Sequence, residues 1–384
     1  MNLLFVILFV LLGLLFVNSF KNKLSPNNLT SLKQLYVYHL LFGIYYYFFI
    51  LGDSIGYWQQ PKVMTFESFL YSFQEEQGTF FVHALNFFPS NFLGLSYFTG
   101  TIMYSIIGFI GFAYFYVTAI DTIPNNPKYK GFNLFPFLFF LPNLHFWSCA
   151  VGKDTLLFFC IGIFVYGLMN ITKRFLFVIL ALSLSYAIRP HITLFMIISF
   201  GFVFMFNRSK SLFQRILFSS IMIGIAISIF PLVLKFSKIE EVSIDSFNNF
   251  ALNKASLLSK SYTSSAIDIS SYSPPVKIFT FLFRPFFFDI NSIPSLLASI
   301  ENTILLLLTI SYFINKPITS YRKAPFVIQG MFCFLIIGTL AFSQSLGNLG
   351  IMIRMRNMFL PGLIIFLLWH FSFLNTDEIE DIST

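Results

Sequence analysis

Five short clusters carry most of the charge that could do chemistry in this chain. They are GDSIGYW around Asp53, VGKDT around Lys153, IRPHI around Arg189, FRPFFFD around Arg284 and GIMIRMRN around Arg354. Together they offer five cations (Lys153, Arg189, Arg284, Arg354 and Arg356), three carboxylates (Asp53, beside Tyr57 and Trp58, with Asp154 and Asp289) and one histidine, His191. Cations suit an anion such as phosphate, and arginine's planar fork matches two of its oxygens. A carboxylate at the mouth of the same pocket can take a proton from a hydroxyl.

Each cluster also has a plainer reading. Asp154 fits an N-cap, accepting backbone N–H groups at the positive end of a helix. Lys153 has no capping role; with Gly152 before it, it makes the corner resemble an anion site. Arg189, Pro190 and His191 join two short apolar segments, and Pro190 suits the first position of the second helix. Arg189 is either a snorkelling interfacial residue or a buried ligand for an anion. His191 is either structural or a proton carrier. Arg284 and Asp289 either pair with each other in an amphipathic or re-entrant segment, or leave Arg284 facing the site. Arg354 and Arg356 are two positions apart, so on a helix only one can face a common pocket; anchoring at the interface is the alternative. Asp53, Tyr57 and Trp58 read as an N-cap plus an aromatic belt, or as a general base with its aromatic wall. Glu67, Glu75 and Glu76 are weaker candidates for the same base.

The elements that must position these residues follow from composition. Of 384 residues, 57% are hydrophobic and 10% charged, against roughly 25% charged in a soluble domain. This predicts an all-α polytopic integral membrane protein. Apolar windows suggest about 11 transmembrane helices, near 2–20, 35–52, 93–120, 132–150, 155–172, 175–188, 192–206, 216–236, 293–314, 325–346 and 357–374. Met1–Phe20 reads as a retained span, because it lacks a basic start and a small-residue cleavage site. Thirteen cations fall in one set of short loops: Lys21, Lys23, Lys33, Lys128, Lys130, Lys173, Arg174, Arg208, Lys210, Arg215, Lys316, Arg322 and Lys323. The positive-inside rule assigns that side to the cytoplasm. All five chemistry-bearing clusters then face outward, with an amphipathic segment at 53–92 and a loop at 237–290 on that outer side. Residues 1–384 read as a single transmembrane domain ending in an acidic cytoplasmic tail, 375–384. The chain is expected to cross its membrane many times.

Several classes are disfavoured. The net charge of +8 follows from topology alone, and no basic, aromatic-interleaved patch points to nucleic acid. Cys149, Cys160 and Cys333 lack redox or ligand spacing, and the His residues are scattered, so neither a disulfide nor a metal is expected. No Walker loop, GxGxxG or GxSxG is present. No cofactor is expected, and the energy source should be an already activated substrate.

In order and spacing the clusters resemble those of bacterial polysaccharide-assembly membrane proteins, the GT-C-type glycosyltransferases and related O-antigen polymerases. The acid follows the second expected span, whereas those transferases usually place it after the first. The lack of a soluble C-terminal domain brings the layout closer to a polymerase. The resemblance implies a bacterial inner (cytoplasmic) membrane as location, a periplasmic outer side for the 53–92 segment and the 237–290 loop, a donor sugar linked to polyprenyl phosphate or pyrophosphate, a glycan acceptor, and the lipid bilayer as partner. It implies catalysis by Asp53, with Lys153, Arg189, Arg284, Arg354 and Arg356 holding the phosphate. His191 is kept as a second catalytic candidate on its residue type, and Asp154, Tyr57 and Trp58 as further substrate- or phosphate-binding residues. A transporter or flippase for an anionic lipid-linked glycan is the alternative.

Overall fold

A computed structural model describes residues 1–207, 211–237, 243–259 and 265–383. Arg208 and Lys210, used above for sidedness, lie outside the described residues, as do 238–242 and 260–264 of the 237–290 loop and Thr384 of the tail. Among the described residues there are 18 α-helices and one small hairpin, Lys128–Tyr129 with Phe132–Asn133. Internal packing divides the chain into two units: Met1–Thr118 with Leu144–Arg189, and Ala119–Asn143 with Pro190–Thr384.

Among the described residues, five helices are long and apolar enough to cross a membrane: Tyr97–Thr122, Ile171–Ile188, Leu212–Lys235, Ile293–Ile314 and Phe326–Ser343. Two bent pairs raise the number to seven if each is one broken span: Pro26–Phe49 with Asp53–Val63, bent by 88°, and Leu349–Arg356 with Leu360–Asn375, bent by 60°. The eleven expected spans are therefore not reached, for a simple reason. Apolar content persists where helix length does not. Stretch 132–150 holds a strand, a single 3₁₀ turn and the five-residue helix Pro142–Phe146, broken where Pro136 and Pro142 cannot continue a helix. Asn2–Asn18, Lys153–Leu168 and Pro190–Met205 have 17, 16 and 16 residues, or about 25 Å at 1.5 Å per residue, short of a hydrocarbon core of about 30 Å.

In the first unit, Ser25 caps the helix Pro26–Phe49 by accepting from the Asn28 amide, and Pro26 occupies the first turn. The chain becomes extended at Ile50 and Gly52, then turns into the helix Asp53–Gln59 with Asp53 in its first turn. Segment 53–92 continues as a 3₁₀ turn, the helices Phe66–Gln74 and Thr79–Asn86, and a π turn. The helix Phe66–Gln74 is two-faced: Phe69 is buried and stacks on Phe87 at 4.9 Å, whereas Phe66, Leu70, Tyr71 and Phe73 are exposed. The helices Lys153–Leu168 and Ile171–Ile188 form an antiparallel hairpin, with the Asn170 side chain capping the second. Tyr97–Thr122 crosses Lys153–Leu168 at Gly111 and Gly162, where a Cβ on Gly162 would lie 2.3 Å from the Gly111 carbonyl oxygen. Such close backbone approach is how helices pack in lipid.

In the second unit, Pro190–Met205 packs on Leu212–Ser237 and on Phe326–Ser343, which in turn packs on Leu360–Ser383. That last helix continues through the segment read above as an acidic tail. The 237–290 loop contains the helix Ile244–Ser259, started by Ser243 Oγ accepting from the Ser246 amide, and the helix Pro274–Phe283. Between them, Ser265 and Ile267 pair through their backbones with Leu349 and Gly347 at 2.8 and 3.0 Å.

Candidate functional site

The first unit gathers four of the residues singled out in the sequence. Lys153 and Asp154 open the helix Lys153–Leu168, and Arg189 ends the antiparallel helix beside it. An acid in the first turn of one helix thus meets a cation at the last turn of its neighbour, the arrangement both helix dipoles favour. The Arg189 guanidinium lies 3.0 Å from Asp154, with side chains only 11% and 10% exposed. Lys153 stands next to this pair. Its Nζ donates to Thr79 Oγ1 at 3.1 Å and sits 5.6 Å from the centre of the Tyr57 ring, within cation–π range. Gly152 makes that approach possible: its φ is +147°, and a Cβ there would press on the Tyr57 ring at 3.0 Å. Two cations and one carboxylate leave this corner with one net positive charge.

Asp53 is exposed at the head of the helix that carries Tyr57. Four positions apart on a helix, the two residues share a face. Trp58 points elsewhere: it is fully buried, its indole N–H donates to the Leu95 carbonyl at 3.0 Å, and its ring packs on Gly100.

A further group joins the corner that residue spacing alone did not suggest. The half-buried His83 imidazole lies 5.8 Å, ring centre to ring centre, from Tyr57. Burial, then the Lys153 ammonium, lowers its pKa from the ordinary 6.5, while Glu76 pulls the other way. Glu76 accepts from Ser72 Oγ at 2.9 Å. Beyond His83 a groove of about 670 Å³ opens, bounded by Glu67, Tyr71, Glu76 and Phe80. His83 sits seventy positions from Lys153, so no local motif announces the meeting.

The second unit holds the remaining sequence candidates. Arg284 pairs with Asp289 through two bonds, 2.6 and 3.1 Å, and donates to the Tyr272 hydroxyl at 3.3 Å. Its pKa is raised, chiefly by the Asp289 hydrogen bonds. Arg354 is half-buried on the helix Leu349–Arg356, and His191 packs its ring near Phe195 and Phe342. Arg356 is 1% exposed and caps a helix end: it donates to the carbonyls of Phe281, Leu282 and Arg284 at the close of Pro274–Phe283, and to Asn302 Oδ1 at 2.6 Å. A cation there meets the negative end of the helix dipole.

Neighbouring Glu301, also 1% exposed, accepts from the Asn143 amide at 2.9 Å, and its other oxygen has no hydrogen-bond partner among the described residues. A lone acid inside an apolar run is a readable signal, and Glu301 was missed in the sequence. In the first unit, buried His39 and His145 face each other at 3.0 Å between their Nδ1 atoms, 106 positions apart in the chain. Among the described residues, no three His, Cys, Asp or Glu side chains cluster as metal ligands.

The long apolar helices define a multi-pass, all-helical membrane protein. Comparison with family models, with curated proteins and with solved structures returns no match for this chain.

Proposed function

We propose that this protein is a membrane glycosyltransferase or polysaccharide polymerase that works on the external face of a bacterial inner membrane, with a sugar donor linked to polyprenyl phosphate or pyrophosphate. The observation that carries the reading is the corner in the first unit, where Lys153, the Asp154–Arg189 pair and Tyr57 meet, one helical turn from Asp53. Lys153 and Arg189 stabilise the negative charge that grows on the departing phosphate, and Asp53 takes the proton of the acceptor hydroxyl. A donor whose tail stays in the bilayer calls for a phosphate site close to membrane depth, and the short helix starting at Lys153 suits that requirement.

The test is made in cells. Lys153→Ala, Arg189→Ala and Asp53→Asn should each abolish the surface glycan while protein level in the membrane stays normal. Normal glycan in all three removes the reading. One observation favours a second reading, a transporter or flippase: the buried Glu301–Asn302–Arg356 group lies within apolar helices, where ion pathways are built. A deletion strain separates the two. Unpolymerised lipid-linked units accumulating outside favour the transferase, and units trapped inside favour the flippase.

A further inference from the structure

The groove beside His83 has a chemistry opposite to that of the cation corner. Two carboxylates, Glu67 and Glu76, line it together with Gln60 and Ser68, and no Lys or Arg does. Its walls also present the ring of Tyr71 and the exposed ring of Phe80. Its volume of about 670 Å³ falls within the few hundred to one thousand cubic ångströms of small-ligand sites. An anion is repelled by the carboxylates. A flat apolar ligand would leave them desolvated without partners. A ligand with hydroxyl groups around its edge and C–H faces above and below satisfies both features: the hydroxyls donate to Glu67 and Glu76, and the faces lie on Tyr71 and Phe80.

We propose that this groove binds an uncharged oligosaccharide, the acceptor chain, between the helices Phe66–Gln74 and Thr79–Asn86. The acceptor role rests on the transferase reading above; the sugar site does not. His83 lines the groove, and its ring lies 5.8 Å from the Tyr57 ring that carries Lys153. A sugar lying against His83 is therefore one side chain away from the phosphate corner. The division of labour is electrostatic: the negative groove takes the neutral sugar, and the positive corner takes the phosphate.

The test uses full-length protein in nanodiscs of phosphatidylethanolamine and phosphatidylglycerol. Four probes are measured by saturation-transfer NMR and calorimetry: maltotriose, chitotriose, spermine and inorganic pyrophosphate. At least one trisaccharide should bind at millimolar concentration. Glu76→Gln and Tyr71→Ala should each weaken it about tenfold. Tyr71 is 61% exposed, so its loss spares the fold, and circular dichroism checks this. Failure of both trisaccharides to bind, or binding indifferent to both groove substitutions, overturns the proposal. Spermine binding through Glu76 without sugar binding also overturns it, in favour of a cation site. Pyrophosphate reports separately on the corner. A trisaccharide that binds while pyrophosphate does not keeps the groove and removes the donor site; the reverse removes the groove alone.

Discussion

Replacing Asp154 by asparagine removes one charge from the Asp154–Arg189 pair while keeping its shape. The pair is nearly out of water, each side chain about one-tenth exposed, with 3.0 Å between charged atoms. At that separation and an effective dielectric near 20 the attraction is about 5 kcal/mol. Desolvation offsets much of it, so the intact pair adds little net stability. Breaking it is different, because Arg189 keeps its desolvation without its counter-charge, a loss of about 3–5 kcal/mol. Asp154→Asn should therefore lower the unfolding free energy by about 3 kcal/mol, measured by steric trapping in bicelles. The double variant Asp154→Asn/Arg189→Gln should lose less than the sum of the two single variants, with a coupling of about 2 kcal/mol. Additivity within about 0.5 kcal/mol would refute the reasoning. The same substitution raises the net charge of the corner, so pyrophosphate binding at low salt should be retained or tightened in whatever fraction stays folded.

Gly162→Ala places a Cβ 2.3 Å from the Gly111 carbonyl oxygen; overpacking of this kind costs about 1–3 kcal/mol and should lower the melting temperature in detergent, as should Gly111→Ala. Arg356→Met leaves the carbonyls of Phe281, Leu282 and Arg284 without their donor and Glu301 without a nearby cation, at a cost of about 3–5 kcal/mol. Arg356→Lys should not rescue it, because a point charge cannot span those acceptors; chemical denaturation of purified protein checks both. The lowered pKa of His83 gives a pH signature with a definite sign. Its folded pKa lies below the unfolded value near 6.5, so its contribution to stability is complete above about 6.5. That contribution declines as pH falls through the lowered folded value, since the unfolded chain binds the proton more readily. His83→Gln should remove this component from a plot of melting temperature against pH, and an unchanged acid limb would contradict the assignment.

What could be read from residues alone depended on how local the cause was. The all-helical membrane class follows from composition. Arg284 and Asp289, five positions apart, pair as one of their two readings allowed. The number of spans was not legible, because hydrophobicity reports burial or lipid contact but not helix length; residues 132–150 are apolar without being a helix that spans. Trp58 looked like part of an aromatic belt, yet the small surface of Gly100 and the Leu95 carbonyl, both about forty positions away, draw it into the core. Arg356 read as a phosphate ligand or an interface anchor, and the carbonyls it caps at the end of Pro274–Phe283 lie more than seventy positions away, out of reach of any local pattern. Tyr57, Lys153 and His83 illustrate the general limit. Residue types nominate a site, but only the helix ends that bring positions 57, 83 and 153 together decide its membership.

Lys153 and Arg189 are proposed to receive a lipid-linked phosphate. The most direct measurement is photo-crosslinking of a benzophenone-bearing polyprenyl phosphate to the purified protein in nanodiscs. Labelling should map to the ends of the helices Lys153–Leu168 and Ile171–Ile188 and fall about tenfold in Lys153→Ala, with inorganic pyrophosphate competing. Labelling that is unchanged in Lys153→Ala and Arg189→Ala, or that maps only to the second unit, would contradict it.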